Sequence, residues 1–346
     1  MPAFRPAAGL CADLHRQVLA PALAGVPHAA ALLGPGSDVL GFDTERSTDH
    51  DWGPRACVFV DPADVGRARE LVAAAVPAEF GGWPLRIGRD GGPLEHRVLV
   101  DTWPGWLRAT LGVDATGDLD VVDWLLLPQQ RLLEVVAGPV FADPRGELAA
   151  VRTRLAWYPD DVWWWLLACQ WRRLAQEEAF VQRTAEVGDE LGSAVLAARQ
   201  VREAVRLALL MARRYAPYAK WLGSAFARLA HPDGLDRSLR AALGAGDLVA
   251  RERALVAASE ALARRHAELP GATALDPRAR RFHDRPALVL GADRFAADCL
   301  ARVRDERLLG LPLIGSVDQV ADSTDLLVRP DLLRRLRALY AGGAGP

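Results

Sequence analysis

The sequence predicts an α+β chain, with short strands gathered before about residue 117 and helices after it. Three observations carry that expectation. The runs Arg55–Val60 and Arg97–Val100 are apolar, β-branched and bounded by turn residues, as buried strands are. From Leu119 onward, Val121-Val122, Leu125-Leu126-Leu127 and Leu132-Leu133 recur at spacings of three, four and seven, which is a helical period. A chain of 346 residues is also long for one core, so two domains are expected, 1–117 and 118–346.

Taken in order, residues 9–24 read as a helix and Ala29–Leu33 as the first strand. Arg55–Val60 follows as the second, and Pro62 opens a helix to about Val76, since proline is well tolerated in a first helical turn. Gly81-Gly82 and Gly91-Gly92-Pro93 punctuate loops around Leu85–Ile87. Arg97–Val100 is the next strand, and a helix begins near Pro104. The later helices are expected at about 145–157, 160–186, 188–215, 218–230, 236–243, 246–267, 292–308 and 330–341.

Composition narrows the function classes. The chain is 51% hydrophobic and 25% charged with a net charge of −2, so it lacks the polybasic surface that duplex nucleic acid needs. Its four cysteines are scattered singly, which predicts neither a zinc site nor a disulfide framework. MPAFRPAAGL has no basic segment followed by a continuous apolar core, so no signal peptide is expected, and no long uncharged apolar run predicts a membrane span. A cytoplasmic location is therefore expected.

The richest segment is Gly36–Trp52, GSDVLGFDTERSTDHDW. In an extended strand, residues two apart share a face, so Asp49 and Asp51 would converge while His50 points away. At about 4 Å and an effective dielectric near 20 their repulsion is roughly 4 kcal/mol, which Mg²⁺ relieves by taking oxygens from both carboxylates and from phosphates. Gly36 lets the backbone approach a ligand, and Ser37 can offer N–H and hydroxyl to phosphate. The segment lacks the Gly-Lys-Ser/Thr ending of a P-loop. A cap or turn at Ser47-Thr48-Asp49 is the competing reading.

On Gly36, Ser37, Asp49 and Asp51, the segment resembles the nucleotidyltransferase-fold superfamily, whose signature is Gly-Ser, a spacer of roughly ten residues and Asp-x-Asp or Asp-x-Glu. GSDVLGFDTERSTDHDWGPR is more closely similar to a DUF4037-like bacterial family of uncharacterised, nucleotidyltransferase-like proteins. The resemblance implies a short mixed sheet with flanking helices, Gly36-Ser37 at the end of its first strand and Asp49 and Asp51 on its second. A mainly α-helical substrate- or acceptor-binding domain would follow. A later strand would supply a third carboxylate, either Asp101, which closes Arg97–Val100, or Glu95. Helix capping near Pro104 is the other reading of Asp101.

The implied activity is transfer of a nucleoside monophosphate from a nucleoside triphosphate, expected to be ATP, to an unidentified acceptor with release of pyrophosphate. Asp49, Asp51 and Asp101 would hold two Mg²⁺ ions and perform the catalysis, and Gly36 and Ser37 would hold the β- and γ-phosphates. Glu177 or Glu178 is a candidate general base. The alternative is a catalytically silent nucleotide-binding or antitoxin-like regulatory module of the same fold.

Two features lie outside the motif. Lys220 is the sole lysine, in a chain without asparagine, as a GC-rich genome would produce by exchanging lysine for arginine wherever it can. Its survival suggests a site needing a compact ammonium. With Arg55, Arg214 and Tyr218 it forms the expected phosphate-binding set, the last two lying around a helix break at Pro217. Trp163-Trp164-Trp165 and Trp171 span most of a helix's circumference. They predict packing or an interface, including a homo-oligomer formed through this helix, over ligand stacking. Gly315–Asp325 reads as a capped turn between helices, and His266 and His283 receive no role.

Overall fold

The computed structural model describes residues 2–49, 52–87, 95–231 and 233–341. The chain is α+β and divides into two compact units. The head comprises Met1–Asp120, Gln129–Ala156 and Val328–Arg334, and the helical unit Val121–Pro128, Trp157–Leu327 and Arg335–Pro346. A single cut after residue 117 therefore does not describe the molecule. Gln129–Ala156 returns to the head because it carries a strand of the head's own sheet.

That sheet has four strands: β1 (His28–Ala31), β2 (Ala56–Val60), β3 (Val98–Asp101) and β4 (Val140–Ala142), in the order β3-β2-β1-β4. β1 is antiparallel to both neighbours, while β2 and β3 are parallel, so the sheet is mixed. All five residues of β2 are buried, which explains its continuous apolar run without alternation. The connection from β2 to β3 contains helix α2 (Val65–Ala75), numbered after α1 (Ala7–Leu14). Ala68 and Val72 of α2 join Val58, Val60, Val98 and Val100 in one core. β3 leads into α3 (Trp103–Leu111), where the Thr102 hydroxyl caps by accepting the Gly105 N–H.

The helical unit is built on α4 (Asp160–Glu177), α5 (Glu190–Met211), α6 (Leu248–Ala267) and α7 (Asp293–Leu300). The helix expected at 160–186 stops at Glu177, and a shorter one follows at Phe180–Ala185. The helix expected at 292–308 also divides, because Asp305 caps a new start at Glu306. Trp163, Trp164, Trp165 and Trp171 are all buried within the unit. Trp163 donates its indole N–H to the Leu210 carbonyl at 2.8 Å, and Trp171 stacks on Phe295 at 4.7 Å. α4 thus buries all four tryptophans inside its own unit, while Asp160, Arg172 and Gln176 face solvent. These tryptophans pack inside the unit, as the packing reading expects. Among the described residues no helix is long and apolar enough to cross a membrane.

Candidate functional site

β1 ends at Ala31, and the chain then turns through the Gly36-Ser37 segment before reaching β2. Gly36 has a φ of +136°, and a Cβ there would lie 2.1 Å from Asp38 Oδ1 and 3.0 Å from an Arg55 nitrogen. Only glycine satisfies both conditions. Asp38 is buried and takes a forked pair from Arg55, Nε to Oδ2 at 2.7 Å and Nη2 to Oδ1 at 3.0 Å. Arg55 also donates to the carbonyls of Leu33 at 3.1 Å and Pro35 at 2.7 Å. Burial opposes its charge, but Asp38 outweighs burial and holds the guanidinium above its ordinary range.

These contacts correct the role expected for Arg55. Its fork is engaged by Asp38 and two carbonyls, so it clamps the exit of β1 to the entrance of β2 and positions the turn. Ser37 is half-buried. Its carbonyl accepts the Phe42 N–H at 2.8 Å, while among the described residues its hydroxyl has no hydrogen-bond partner.

The loop returning toward β2 is ordered by Asp43, which accepts the Ala7 N–H at 2.8 Å at the start of α1 and the Trp52 indole N–H at 3.0 Å. Neither Asp38 nor Asp43 stands out in the sequence as a site residue. An acidic residue directly after Gly-Ser, with an arginine opening the next strand, was the available signal for the first.

Asp49 does not lie on a strand. It ends a 3-10 helix, Glu45–Asp49, in which Thr48 donates its hydroxyl to the Glu45 carbonyl at 2.8 Å and Ser47 accepts the Thr44 N–H at 3.1 Å. The local side-chain bonds that favour turns have won over the extended pattern. Asp49 is half-exposed and meets Arg46 at 3.7 Å. Asp51 lies outside the described residues, so its sharing a face with Asp49 is not described. Among the described residues no group of three or more His, Cys, Asp or Glu side chains is set to hold a metal ion.

Asp101 does not join this end of the sheet. In the parallel pairing it is level with Phe59, and Phe59 is opposite Ala29 near the start of β1. The Gly36 turn leaves the other end of β1, beyond the Ala31–Cys57 pair. Asp101 therefore stands three residues, about 10 Å, along the strand direction from Ala56, where the aspartate segment enters β2. Its Oδ1 accepts the Thr102 N–H at 2.7 Å. Glu95 pairs through its backbone with Ile87 and precedes Val98, which is level with Ala56, so it enters β3 from the Gly36 end. Arg97 brings a further half-buried guanidinium to that end, 3.2 Å from where a Gly53 Cβ would be. Behind the loop, burial pushes the Cys11 thiol up to about 11.

The other expected residues belong to the helical unit. The break at Pro217 is present, and a helix begins at Ala219. Arg214, Tyr218 and Lys220 are exposed there, with the Lys220 ammonium 5.1 Å over the Trp221 ring. Neither candidate general base is available. Glu177 pairs with Arg199 at 3.0 Å, and Glu178 accepts the backbone N–H groups of Leu290, Gly291 and Ala292 just ahead of α7.

The solved structure of a nucleotidyltransferase-like protein from Exiguobacterium sibiricum 255-15 aligns with 86% of this chain and 91% of its own, at 14% identity and a TM-score of 0.32. No curated protein matches the chain. The model of the family described as Domain of unknown function (DUF4037) matches residues 124–222, which include α4, α5, Arg214, Tyr218 and Lys220 and lie after the Gly36–Asp51 segment. Over that stretch the chain is similar to DUF4037, as its sequence led us to expect.

Proposed function

We propose that the Gly36 end of the head sheet transfers a nucleotidyl group from a nucleoside triphosphate, with ATP the expected donor, to an acceptor of unassigned identity. The observation that carries the reading is the clamped Gly36-Ser37 turn, with the Ser37 hydroxyl open among the described residues and Asp49 in the loop that precedes the adjacent strand in the sequence. In this reading Ser37 donates to a phosphate oxygen, and Arg55 and Asp38 keep the turn rigid. Asp49 and Asp51 hold Mg²⁺, with Glu95 in place of Asp101 as the third carboxylate. When bound, Mg²⁺ supplies charge neutralisation on the triphosphate. The acceptor's nucleophilic atom forms a bond to the α-phosphorus, the bond to the β-phosphate bridging oxygen breaks, and pyrophosphate leaves. Arg214, Tyr218 and Lys220, exposed on the helical unit, are proposed phosphate-binding residues of that unit.

The displacement of Asp101 favours a second reading, a nucleotide-binding module without turnover. One experiment separates them. The purified chain is incubated with each α-labelled triphosphate, Mg²⁺ and a cell extract, and pyrophosphate and labelled acceptor are measured for wild type and for Asp49→Ala with Asp51→Ala. Transfer lost in the double variant supports the enzyme. Nucleotide binding without pyrophosphate supports the silent module, and transfer that survives the double variant sinks the site assignment.

A further inference from the structure

The helical unit contains a second site-like feature unrelated to the Gly36 turn. A cleft of about 490 Å³ opens between α4, α5 and the short helix Val317–Val320, and four arginines line it: Arg173, Arg199, Arg202 and Arg206. The last three recur along α5 at intervals of three and four, which places them on one stripe of that helix. Next to these arginines, though not lining the cleft, is a deeply buried carboxylate, Glu203, 2% exposed, which accepts from Gln170 at 2.7 Å and meets Arg173 at 3.3 Å. Burial alone would raise Glu203, but Arg206, Gln170 and Arg173 more than reverse this and hold it below the usual carboxylate range.

Arg206 is the unusual member. It makes one hydrogen bond, to the Asp318 carbonyl at 2.7 Å, and among the described residues it has no ion pair. A guanidinium has five N–H donors, so most of its capacity remains unused. Burial lowers its pKa, helped by Arg202 and Arg173 and opposed by Glu203 and Asp318. On the far wall, Asp322 meets Arg202 at 3.2 Å but is 73% exposed. Surface pairs of that kind are worth little and are readily displaced. Glu177, the partner of Arg199, remains on the α4 side.

We propose that this cleft binds a small phosphate-bearing ligand, with Arg206 and Arg202 forking onto the phosphate and Arg173 and Arg199 flanking it. A phosphate group brings a charge of roughly −1.5 to −2 and three acceptor oxygens, which matches several converging guanidinium forks better than a single carboxylate does. Its arrival turns Asp322 out to solvent, while Glu203 stays beneath as the counter-charge that keeps Arg173 and Arg206 close together.

The test is calorimetric titration of the full chain with inorganic pyrophosphate in magnesium-free buffer, so that a magnesium-dependent site in the head does not contribute. Arg202→Ala and Arg206→Leu are expected to weaken binding at least about tenfold each, as loss of a charge-assisted pair does. Asp322→Asn, which removes a competing carboxylate at an exposed position and does not threaten the fold, is expected to tighten it. Arg281→Ala, an exposed arginine elsewhere in the same unit, is expected to leave it unchanged. Equal losses in Arg202→Ala and Arg281→Ala, no tightening in Asp322→Asn, or absence of pyrophosphate binding overturns the proposal. So does tighter binding of a single-stranded oligonucleotide than of pyrophosphate and ADP at the same salt.

Discussion

Two buried polar networks, one in each unit, are similar in chemistry and opposite in what they leave open. In the head, Arg55 grips Asp38 and two carbonyls, and everything it touches serves to shape the turn in which the Ser37 hydroxyl has no described partner. In the helical unit, His266 is fully buried, accepts the Trp171 indole N–H at Nδ1 at 3.2 Å, and donates from Nε2 to Asp298 at 2.9 Å. Asp298 also meets Arg302 at 3.1 Å and accepts the Thr273 N–H at 3.1 Å. A histidine beside an aspartate invites a catalytic reading, yet both ring nitrogens are engaged in the interior. The histidine network is a strut, while the arginine network shapes the turn on which the proposed site rests. What separates them is the unused hydrogen-bonding capacity at the edge of the cluster.

The sharpest way to break this contrast is Arg55→Met. It strands the Asp38 carboxylate, only 4% exposed at its side chain, without its counter-charge. Removing one partner of a buried pair costs roughly 3–5 kcal/mol, read as a lower midpoint in urea unfolding. Arg55→Met with Asp38→Leu removes both charges and should recover most of that stability, because no buried charge is left alone. The turn would still lose its clamp to Leu33 and Pro35. Nucleotide affinity in the double variant is therefore expected to fall while the fold persists. Affinity equal to wild type would show that Arg55 holds the fold but not the site.

The strut is tested by pH. Burial lowers His266 below its ordinary pKa, with Asp298 opposing but not overcoming it, and His15 is lowered by burial and by His28. In the unfolded chain each histidine protonates near about pH 6.5. Below that value the unfolded state takes up protons first, so stability falls with pH until the folded histidines protonate as well. The slope is at most about 1.4 kcal/mol per pH unit for each group. His266→Gln should flatten the stability curve between pH 6.5 and 5, and adding His15→Gln should flatten it further. A wild-type curve already level over that range would refute the buried neutral histidine.

The sequence revealed the elements and the turn better than it revealed their mutual placement. Ala56–Val60 and Val98–Asp101 announced themselves as buried strands because both are continuous apolar runs. Gly36 was legible as a turn glycine, but what requires it, its positive φ and the Asp38 and Arg55 atoms standing where a Cβ would be, was not. The position of Asp101 was not legible, since which end of β2 it reaches depends on the two strands being parallel, a tertiary fact absent from local pattern. Asp49 was misplaced for the opposite reason. Glu45, Ser47 and Thr48 advertise a local turn, and the alternation of Asp49 and Asp51 was given precedence over it. The tryptophan run was legible as packing, since three consecutive residues cover most of a helix's circumference and neighbouring helices of the same unit bury all of them.

The smallest effect bears on the most consequential residue. Arg46 is 92% exposed and meets Asp49 at 3.7 Å, so this pair lies in solvent where the Arg55–Asp38 pair does not. Solvent and side-chain entropy leave such a pair nearly worthless to the fold. Arg46→Ala is therefore expected to produce no measurable change in unfolding. If Asp49 holds Mg²⁺, losing a neighbouring cation raises the local negative potential and should strengthen Mg²⁺-dependent nucleotide binding by roughly twofold to threefold at low salt, fading at high salt. An unchanged affinity at low salt would leave Asp49 as a turn residue alone, and the Gly36 end would then have to find its metal ligands elsewhere.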